Sequence, residues 1–544
     1  MLESAAVKPA WRWSAISLLA GATATGALAG DRLLALGSGS RESLRLFGDL
    51  IEQAHGAYGR EVSYRDLVYA GIQGMLRTLD PHTAFLSAEQ HAQMQERHQA
   101  SFYGLGILIG QRNGRLTVIT PIEGTPASRL GIRAGDVIHL IEGEPTAKMS
   151  VDEAVSKLKG PKGTEVSITV VRAGLPEPLE FTVVRAEIPQ ATVRYAYMLA
   201  PGTGYIALSD FSRSTGGEVA RAVAKLRQEG MSRLIFDLRN NGGGLLDQAI
   251  EVSELFLPAG AAVVETRGRV RDSIQSFEAD GGTTKLDLPL VVLVNAGTAS
   301  AAEIVSGAIQ DHDIGLVAGT PTWGKGLVQT VYNLSYGAGL ALTTAKYYTP
   351  SGRLIQRDYH SVLDYFARTD VDEPGHAAPP PPSREEYSTD LGRKVFGGGG
   401  ITPDVAVEPR EISSALQYLL ARAAFFRFGV EWTNLHDELS RDWRPDADVE
   451  RAFRDWLVAE DLQSAEEVAA TFAEPESRDF ALRQIRAEVL GARYGIEAAH
   501  QVLAEGDTQI QTALSLFPQA AALLAQRRAI EGLPEVRTAE TVRH

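Results

Sequence analysis

No cysteine occurs anywhere in the 544 residues. That absence excludes a disulfide scaffold, a thiol nucleophile, an iron–sulfur cluster and a cysteine-ligated zinc, whichever redox compartment the chain occupies. Basic charge is also in short supply. Against 68 Asp and Glu stand 53 Lys and Arg, a formal net charge of −15, which argues against a dedicated nucleic-acid binder because such proteins carry a basic footprint. Long apolar runs are scarce outside the beginning, where Lys8 and Arg12 precede Trp13, Ile16, Leu18 and Leu19 and a small-residue stretch ends in Ala27-Leu28-Ala29-Gly30. Residues 1–30 therefore read as a signal peptide or an N-terminal membrane anchor. Either one exports the rest of the chain. What remains is ordinary in composition, 44% apolar and 22% charged, and can form large cores.

The pattern along the chain changes several times. Residues 43–100 read as a helical lead, with Phe47, Ile51 and Tyr58 in one period and Leu67, Ile72, Met75 and Leu76 in another, closed by Leu79-Asp80-Pro81-His82. From 102 to 186 short apolar runs alternate with Gly-containing turns, as at Ile107–Ile109, Leu116–Ile119, Val137–Ile141 and Val166–Val171, with one helix from Val151 to Leu158. Between 187 and 410 strand and helix alternate, which predicts an α/β core. Its candidates are strands at Ile206–Leu208, Leu234–Leu238, Leu290–Val294 and Gly315–Ala318, with helices at Gly217–Gln228, Leu245–Phe256 and Ser300–Gln310. A Pro-rich excursion over 373–383 interrupts it. Residues 411–544 turn to Ala, Leu, Arg and Glu at helical spacing and predict a helical appendage that packs on the core or mediates assembly.

Chemistry concentrates at Ala299-Ser300-Ala301-Ala302-Glu303, between the strand ending at Val294 and the next helix. Taken locally, Ser300 and Glu303 form a helix capping box. Space changes that reading. A helix from Ser300 to Gln310 rises about 15 Å, and a parallel strand at Ile314–Ala318 returns roughly that distance. In a right-handed crossover the loop Thr320 to Gly326 is thus delivered back to Ser300. Ser300 and Lys325 would then make a nucleophile and a general base, a variant of the Ser-His-Asp scheme. The base must be neutral, which burial beside an apolar wall such as Trp323 would favour. Gln329, in phase with Lys325 on an extended strand, can hold the amine. His312 lies on the order of 18 Å along the helix and cannot reach the serine. For the oxyanion, the N–H of Ala301 in the first helical turn is one donor. The Gly-rich bend from Asp237 to Gly244 can supply another, and it lacks the Gly-Lys-Ser/Thr ending of a phosphate loop.

With these segments in order, the chain resembles the carboxyl-terminal processing (tail-specific) serine proteases over about residues 43–410. The segments carrying the resemblance are Gly74-Met75 with Leu79-Asp80-Pro81-His82, Phe102 to Ile107, Asp237 to Gly244, Ala299 to Glu303, Gln310-Asp311, Gly324-Lys325-Gly326 with Gln329, and Gly399 to Asp404. The resemblance implies an α/β (α+β multidomain) protein with a ClpP/crotonase-like core and an inserted PDZ domain at 102–186. It implies Ser300 as nucleophile, Lys325 as base and Gln329 as its orienting partner, with the N–H groups of Gly243 and Ala301 as oxyanion hole. Gly242 stands where the family has proline, and Trp323 where it commonly has phenylalanine. Asp311 matches a family aspartate of structural importance. Tyr103-Gly104-Leu105-Gly106 would be the PDZ carboxylate loop, capturing a substrate C-terminus while the peptide adds as a strand. The implied function is an exported, metal- and cofactor-independent endopeptidase acting on polypeptide C-termini in a bacterial periplasm or cell envelope. An adaptor protein, membrane attachment through the N-terminus and a homo-oligomer are the further partners it admits. A catalytically silent PDZ scaffold is the competing class.

Overall fold

The computed structural model describes residues 38–112, 114–281, 285–357, 385–436 and 438–531. The predicted export segment at 1–30 and the Pro-rich stretch at 373–383 lie outside them. The chain divides into two compact bodies, one ending at Phe85 and the other starting at Leu86.

In the first body, helix Ser38–Ala57 is followed by helix Tyr64–Leu76, whose N-cap Ser63 accepts the Asp66 N–H. The Phe47 ring fills the space a side chain would need at Gly71. The predicted stop is an Asp-centred turn, with Asp80 Oδ1 accepting the His82 and Thr83 N–H groups, each at 2.8 Å.

The second body begins with helix Ala88–Gln99, which carries a full capping box from Ser87. Strand Ser101–Gly104 then pairs antiparallel with Ala186–Pro189. Chain entry and exit therefore lie side by side, and everything between them forms an insertion. That insertion is an antiparallel sheet ordered Ile107–Arg112, Arg115–Pro121, Val137–Ile141, Glu165–Val171 and Leu179–Val184, with helix Val151–Leu158 against it. Alternate apolar residues such as Leu116, Val118, Ile138, Ile141, Val166, Ile168 and Val170 fill its core. The last strand, Leu179–Val184, escaped the sequence pattern.

The α/β core comprises β1 (Val193–Ala200), β2 (Thr203–Leu208), α1 (Thr215–Gln228), β3 (Arg233–Asp237), α2 (Leu246–Glu254), β4 (Ala262–Gly268), β5 (Gln275–Glu278), β6 (Leu290–Val294), α3 (Ala301–Asp311), β7 (Leu316–Gly319), β8 (Leu327–Asn333), β9 (Gly339–Tyr348) and β10 (Val405–Ala406). Its main sheet runs β1-β2-β3-β6-β7-β10. Only the β1/β2 pairing in it is antiparallel. In a second sheet the pairs β8/β9, β9/β4 and β4/β5 are antiparallel.

Why β6 is apolar at every position is plain from its neighbours. All five of its residues are buried. Leu290, Val292 and Val294 face the layer containing α1, α2 and α3. Val291 and Leu293 face the last two helices among the described residues, Thr508–Ser515 and Phe517–Glu531. A parallel sheet covered on both faces needs such continuous runs. In space, therefore, the end of the predicted appendage is part of the core. Helices between Ser414 and Tyr494 form a bundle around Phe425, Phe428, Phe453 and Ile485, and Ile496–Ala504 joins it to the core through His500.

Candidate active site

Strand register brings the two predicted loops together. β6 and β7 pair in parallel with Val294 opposite Gly319, so the loops after both strands leave the sheet at one edge. Gly319 is required there: its φ is +129°, and a Cβ would lie 2.0 Å from the Val294 carbonyl oxygen.

Ser300 is the N-cap of α3, with φ 56° and ψ −118°. Such a conformation costs a non-glycine residue about 1–3 kcal/mol and persists only where surrounding contacts enforce it. Those contacts centre on Glu303. Its carboxylate, fully buried, accepts four donors. Oε2 receives the Ser300 N–H at 2.8 Å and the Lys325 N–H at 2.9 Å. Oε1 receives the Thr322 hydroxyl at 2.5 Å and the Gly324 N–H at 2.8 Å. One oxygen thus holds the backbones of both predicted dyad members. Burial pushes the Glu303 carboxyl up from the ordinary glutamate range, and the four donors pull the other way. On the opposite side Tyr347, itself buried, directs its hydroxyl at the Ser300 carbonyl at 3.1 Å and at the Lys325 carbonyl. Neither Glu303 nor Tyr347 stood out in the sequence as part of a site. Glu303 read as a cap, and Tyr347 had no local signal at all.

The lysine side chain is held as well. Lys325 Nζ donates to Gln329 Oε1 at 3.0 Å. The glutamine lies on β8 just after a register shift between Val328 and Gln329, with Lys325 in the loop before the strand. The indole of Trp323 has the Arg357 guanidinium 5.4 Å from its ring centroid, so one of its neighbours is a cation, where the sequence suggested only an apolar wall.

Oxyanion donors are arranged unequally. The Ala301 N–H sits in the first turn of α3 and has no partner among the described residues. Gly243 packs against it, since a Cβ there, at φ +94°, would lie 2.8 Å from the Ala301 nitrogen and 2.7 Å from the Ala299 carbonyl oxygen. Its own N–H, however, donates to Asn241 Oδ1 at 2.9 Å. The buried Asn241 is fixed in turn by its Nδ2, which donates to the Leu208 carbonyl at 2.8 Å.

The bend carrying Gly243 is anchored from two directions. Asn240 N–H donates to Asn295 Oδ1 at 2.8 Å, and Asn295 Nδ2 returns to Asn240 Oδ1 at 3.0 Å. Behind it, Arg239 forks onto Asp237 and reaches Asp507 Oδ2 and Gln509 Oε1 in the tail, each at 2.8 Å. Beside this link the Tyr205 hydroxyl donates to Asp237 at 2.6 Å, and the His500 ring stacks on Tyr195 at 3.9 Å. Burial holds the His500 imidazole below its ordinary range.

Asp311 closes α3 away from Ser300. It pairs with fully buried Arg353 at 2.7 Å and accepts the Ser351 N–H at 3.0 Å. Predicted to be out of reach, His312 is the α3 C-cap, 2.8 Å from Asp390 Oδ2 and 2.7 Å from the Ala262 carbonyl. In the insertion, Gly106 has φ +81° with Thr125 packed on it. The Leu105 and Gly106 N–H groups have no partner among the described residues. Tyr103 and Gly104 lie on the strand paired with Ala186–Pro189.

Comparison with known proteins agrees with this architecture. Residues 202–361 match the model of peptidase family S41, and residues 117–172 that of a PDZ domain. A carboxy-terminal-processing protease of Bartonella bacilliformis is 39% identical over 319 residues, 58% of this chain and 73% of that protein. A carboxyl-terminal-processing protease of Synechocystis is 42% identical over 299 residues, 54% of this chain and 69% of its own length. The carboxy-terminal processing protease CtpA of Bacillus subtilis is 35% identical over 308 residues, 56% and 65% of the two chains. None of these likenesses supports a silent scaffold. With a serine and a lysine loop clamped together inside the matched region, the chain belongs to peptidase family S41 as a C-terminal processing serine protease carrying a PDZ domain.

Proposed function

We propose that Ser300 is the nucleophile and Lys325 the general base of an acyl-enzyme endopeptidase. In this mechanism the lysine amine takes the proton of Ser300 Oγ as that oxygen bonds to the scissile carbonyl carbon. The same proton is delivered to the departing amine when the C–N bond breaks. Water then repeats the sequence on the ester, releasing the new C-terminus and restoring the serine hydroxyl. Gln329 holds the amine toward the serine, and the Ala301 N–H supports the oxyanion. Gly243 joins it when its N–H is released from Asn241. The observation that carries this reading is the single Glu303 oxygen holding both the Ser300 and the Lys325 amides.

Substrate tails bind at the Tyr103–Gly106 loop in this proposal. The Leu105 and Gly106 N–H groups take the terminal carboxylate, and the peptide adds to the edge of Ile107–Arg112, which among the described residues pairs only with Arg115–Pro121. Export follows from the charge-then-apolar order of residues 1–30. The test is turnover of an unfolded protein with an apolar C-terminus. Ser300→Ala and Lys325→Ala should each abolish it with an unchanged circular dichroism spectrum, and full activity in purified Ser300→Ala protein refutes the assignment.

A further inference from the structure

A tail whose carboxylate sits on the Leu105 and Gly106 amides has a fixed direction along the edge strand. Its last residue lies beside Ile107, and its upstream residues run toward Arg112. Six residues at about 3.4 Å each cover roughly 20 Å, so the substrate residue about five or six places from its end arrives at the Arg112 turn.

There the PDZ domain meets the tail bundle across a crevice of about 950 Å³. Turns of the PDZ sheet form one wall, and helices Ala424–Leu435 and Ala447–Ala459 form the other. Five arginines and two glutamates line it. Arg172 is bound to Asp136 and Arg427 to Glu460, while Glu431 keeps its charge, its bond being from the neutral Trp456 N–H, and the partly buried Glu488 acts on Arg112. Arg112, Arg115 and Arg133 make no ion pair among the described residues. The Nε of Arg112 is buried without a hydrogen-bond partner, and its guanidinium stands 5.7 Å from the Phe426 ring. Leu435, 73% exposed, adds apolar surface. Arg115 and Arg133, which have no ion-pair partner among the described residues, and the excess of arginine over glutamate in the lining stand out in a chain whose net charge is −15.

We infer that this crevice is a second recognition subsite for the substrate's own tail. It selects polypeptides whose apolar C-terminus is preceded, about five to eight residues upstream, by Asp or Glu. The inference rests on reading Tyr103–Gly106 as the carboxylate loop. It assigns to the tail bundle a share in choosing substrates, because that bundle supplies the wall that makes the arginine turn a cleft.

The experiment uses the full-length Ser300→Ala protein, which holds peptides without cleaving them, and fluorescence anisotropy. The labelled peptides share four apolar C-terminal residues and carry Glu, Ser or Lys at the fifth to eighth positions from the end. The Glu peptide should bind on the order of tenfold more tightly than the Lys peptide at low salt, the scale of a few exposed ion pairs. The difference should shrink as salt rises. Arg115 and Arg133 are exposed, so Arg115→Glu with Arg133→Glu should leave the fold intact and abolish or invert the order. Equal affinities for the three peptides, or an order unchanged in the double variant, overturn the inference alone. Carboxamide peptides that bind as well as the free acids, or free acids that do not bind, overturn the carboxylate-loop reading beneath it.

Discussion

Glu303→Gln is the substitution that most directly tests how the site is held. An amide presents one acceptor oxygen where the carboxylate has two, and its NH2 must face donors. At Oε1 those are the Thr322 hydroxyl and the Gly324 N–H; at Oε2 they are the Ser300 and Lys325 N–H groups. Whichever way the amide turns, two donors face the NH2 and lose their acceptor in a fully buried place, while the other two keep only a neutral one. Each such bond is worth about 1.5–3 kcal/mol, so the loss is on the order of 3–6 kcal/mol against a typical total of about 5–15 kcal/mol. Turning the NH2 toward Oε1 spares the dyad backbones, and turning it toward Oε2 separates them. A displacement of about 1 Å between reacting groups costs on the order of 100-fold in rate. Two measurements on one preparation decide the matter: the urea midpoint, and the rate at which a fluorophosphonate modifies Ser300. The expected outcome is a marked drop in the midpoint with modification slowed at least tenfold. Thr322→Val supplies a milder variant, because it removes one donor and breaks the relay in which Thr322 Oγ1 also accepts the Ile401 N–H at 2.6 Å. It should cost about 1–3 kcal/mol and slow modification less. A Glu303→Gln protein with wild-type midpoint and wild-type modification rate refutes the role given to the carboxylate.

Two further predictions concern buried charge elsewhere. Asp311→Asn leaves the fully buried Arg353 guanidinium without its anion, which should destabilise by about 3–5 kcal/mol; thermal unfolding measures it, and a joint Asp311→Leu, Arg353→Met replacement should recover part of the loss. Burial pushes the Glu488 carboxyl up to about 7 from an ordinary 4.5. Between those values the folded chain keeps a proton that the unfolded chain releases, so stability falls as pH rises from 4.5 to 7 and levels off above. The whole effect is at most about 3 kcal/mol, and Glu488→Gln should remove it. Urea midpoints for both proteins should then coincide near pH 4.5 and diverge by pH 8; a gap that does not vary with pH refutes the assignment.

What could be read from the sequence, and what could not, divides along physical lines. Ser300 and Lys325 were legible together because strand, helix, strand and a right-handed crossover are local rules, and local rules suffice to return a loop to its origin. The Val294–Gly319 register follows the same logic. A two-residue period singles out Gln329 only on an unbroken extended strand from Lys325, whereas Lys325 precedes β8 and a register shift falls between Val328 and Gln329, so the contact depends on geometry that period alone does not give. Glu303 was visible but misleading: three residues after a serine it looks like half of a cap, and only the fold shows that the same carboxylate also takes the Gly324 and Lys325 amides, 21 and 22 residues onward. The all-apolar β6 did signal a sheet covered on both faces, yet no rule of periodicity tells which segment supplies the second cover. That segment proved to be residues 508–531, more than 200 positions away. From the same region Asp507 and Gln509 grip Arg239, and Arg239 opens the bend that carries Gly243. A tail that looked like an appendage by composition is therefore coupled to the bend whose Gly243 N–H is held by Asn241. Truncation at about residue 410 would uncover the apolar face of Val291 and Leu293 as well as removing Arg239's partners, so loss of activity in such a protein would not isolate either role. Asp507→Asn separates them, because its amide oxygen can still cap helix Thr508–Ser515, where Asp507 Oδ1 takes the Gln509 and Ile510 N–H groups, while the charge facing Arg239 is removed.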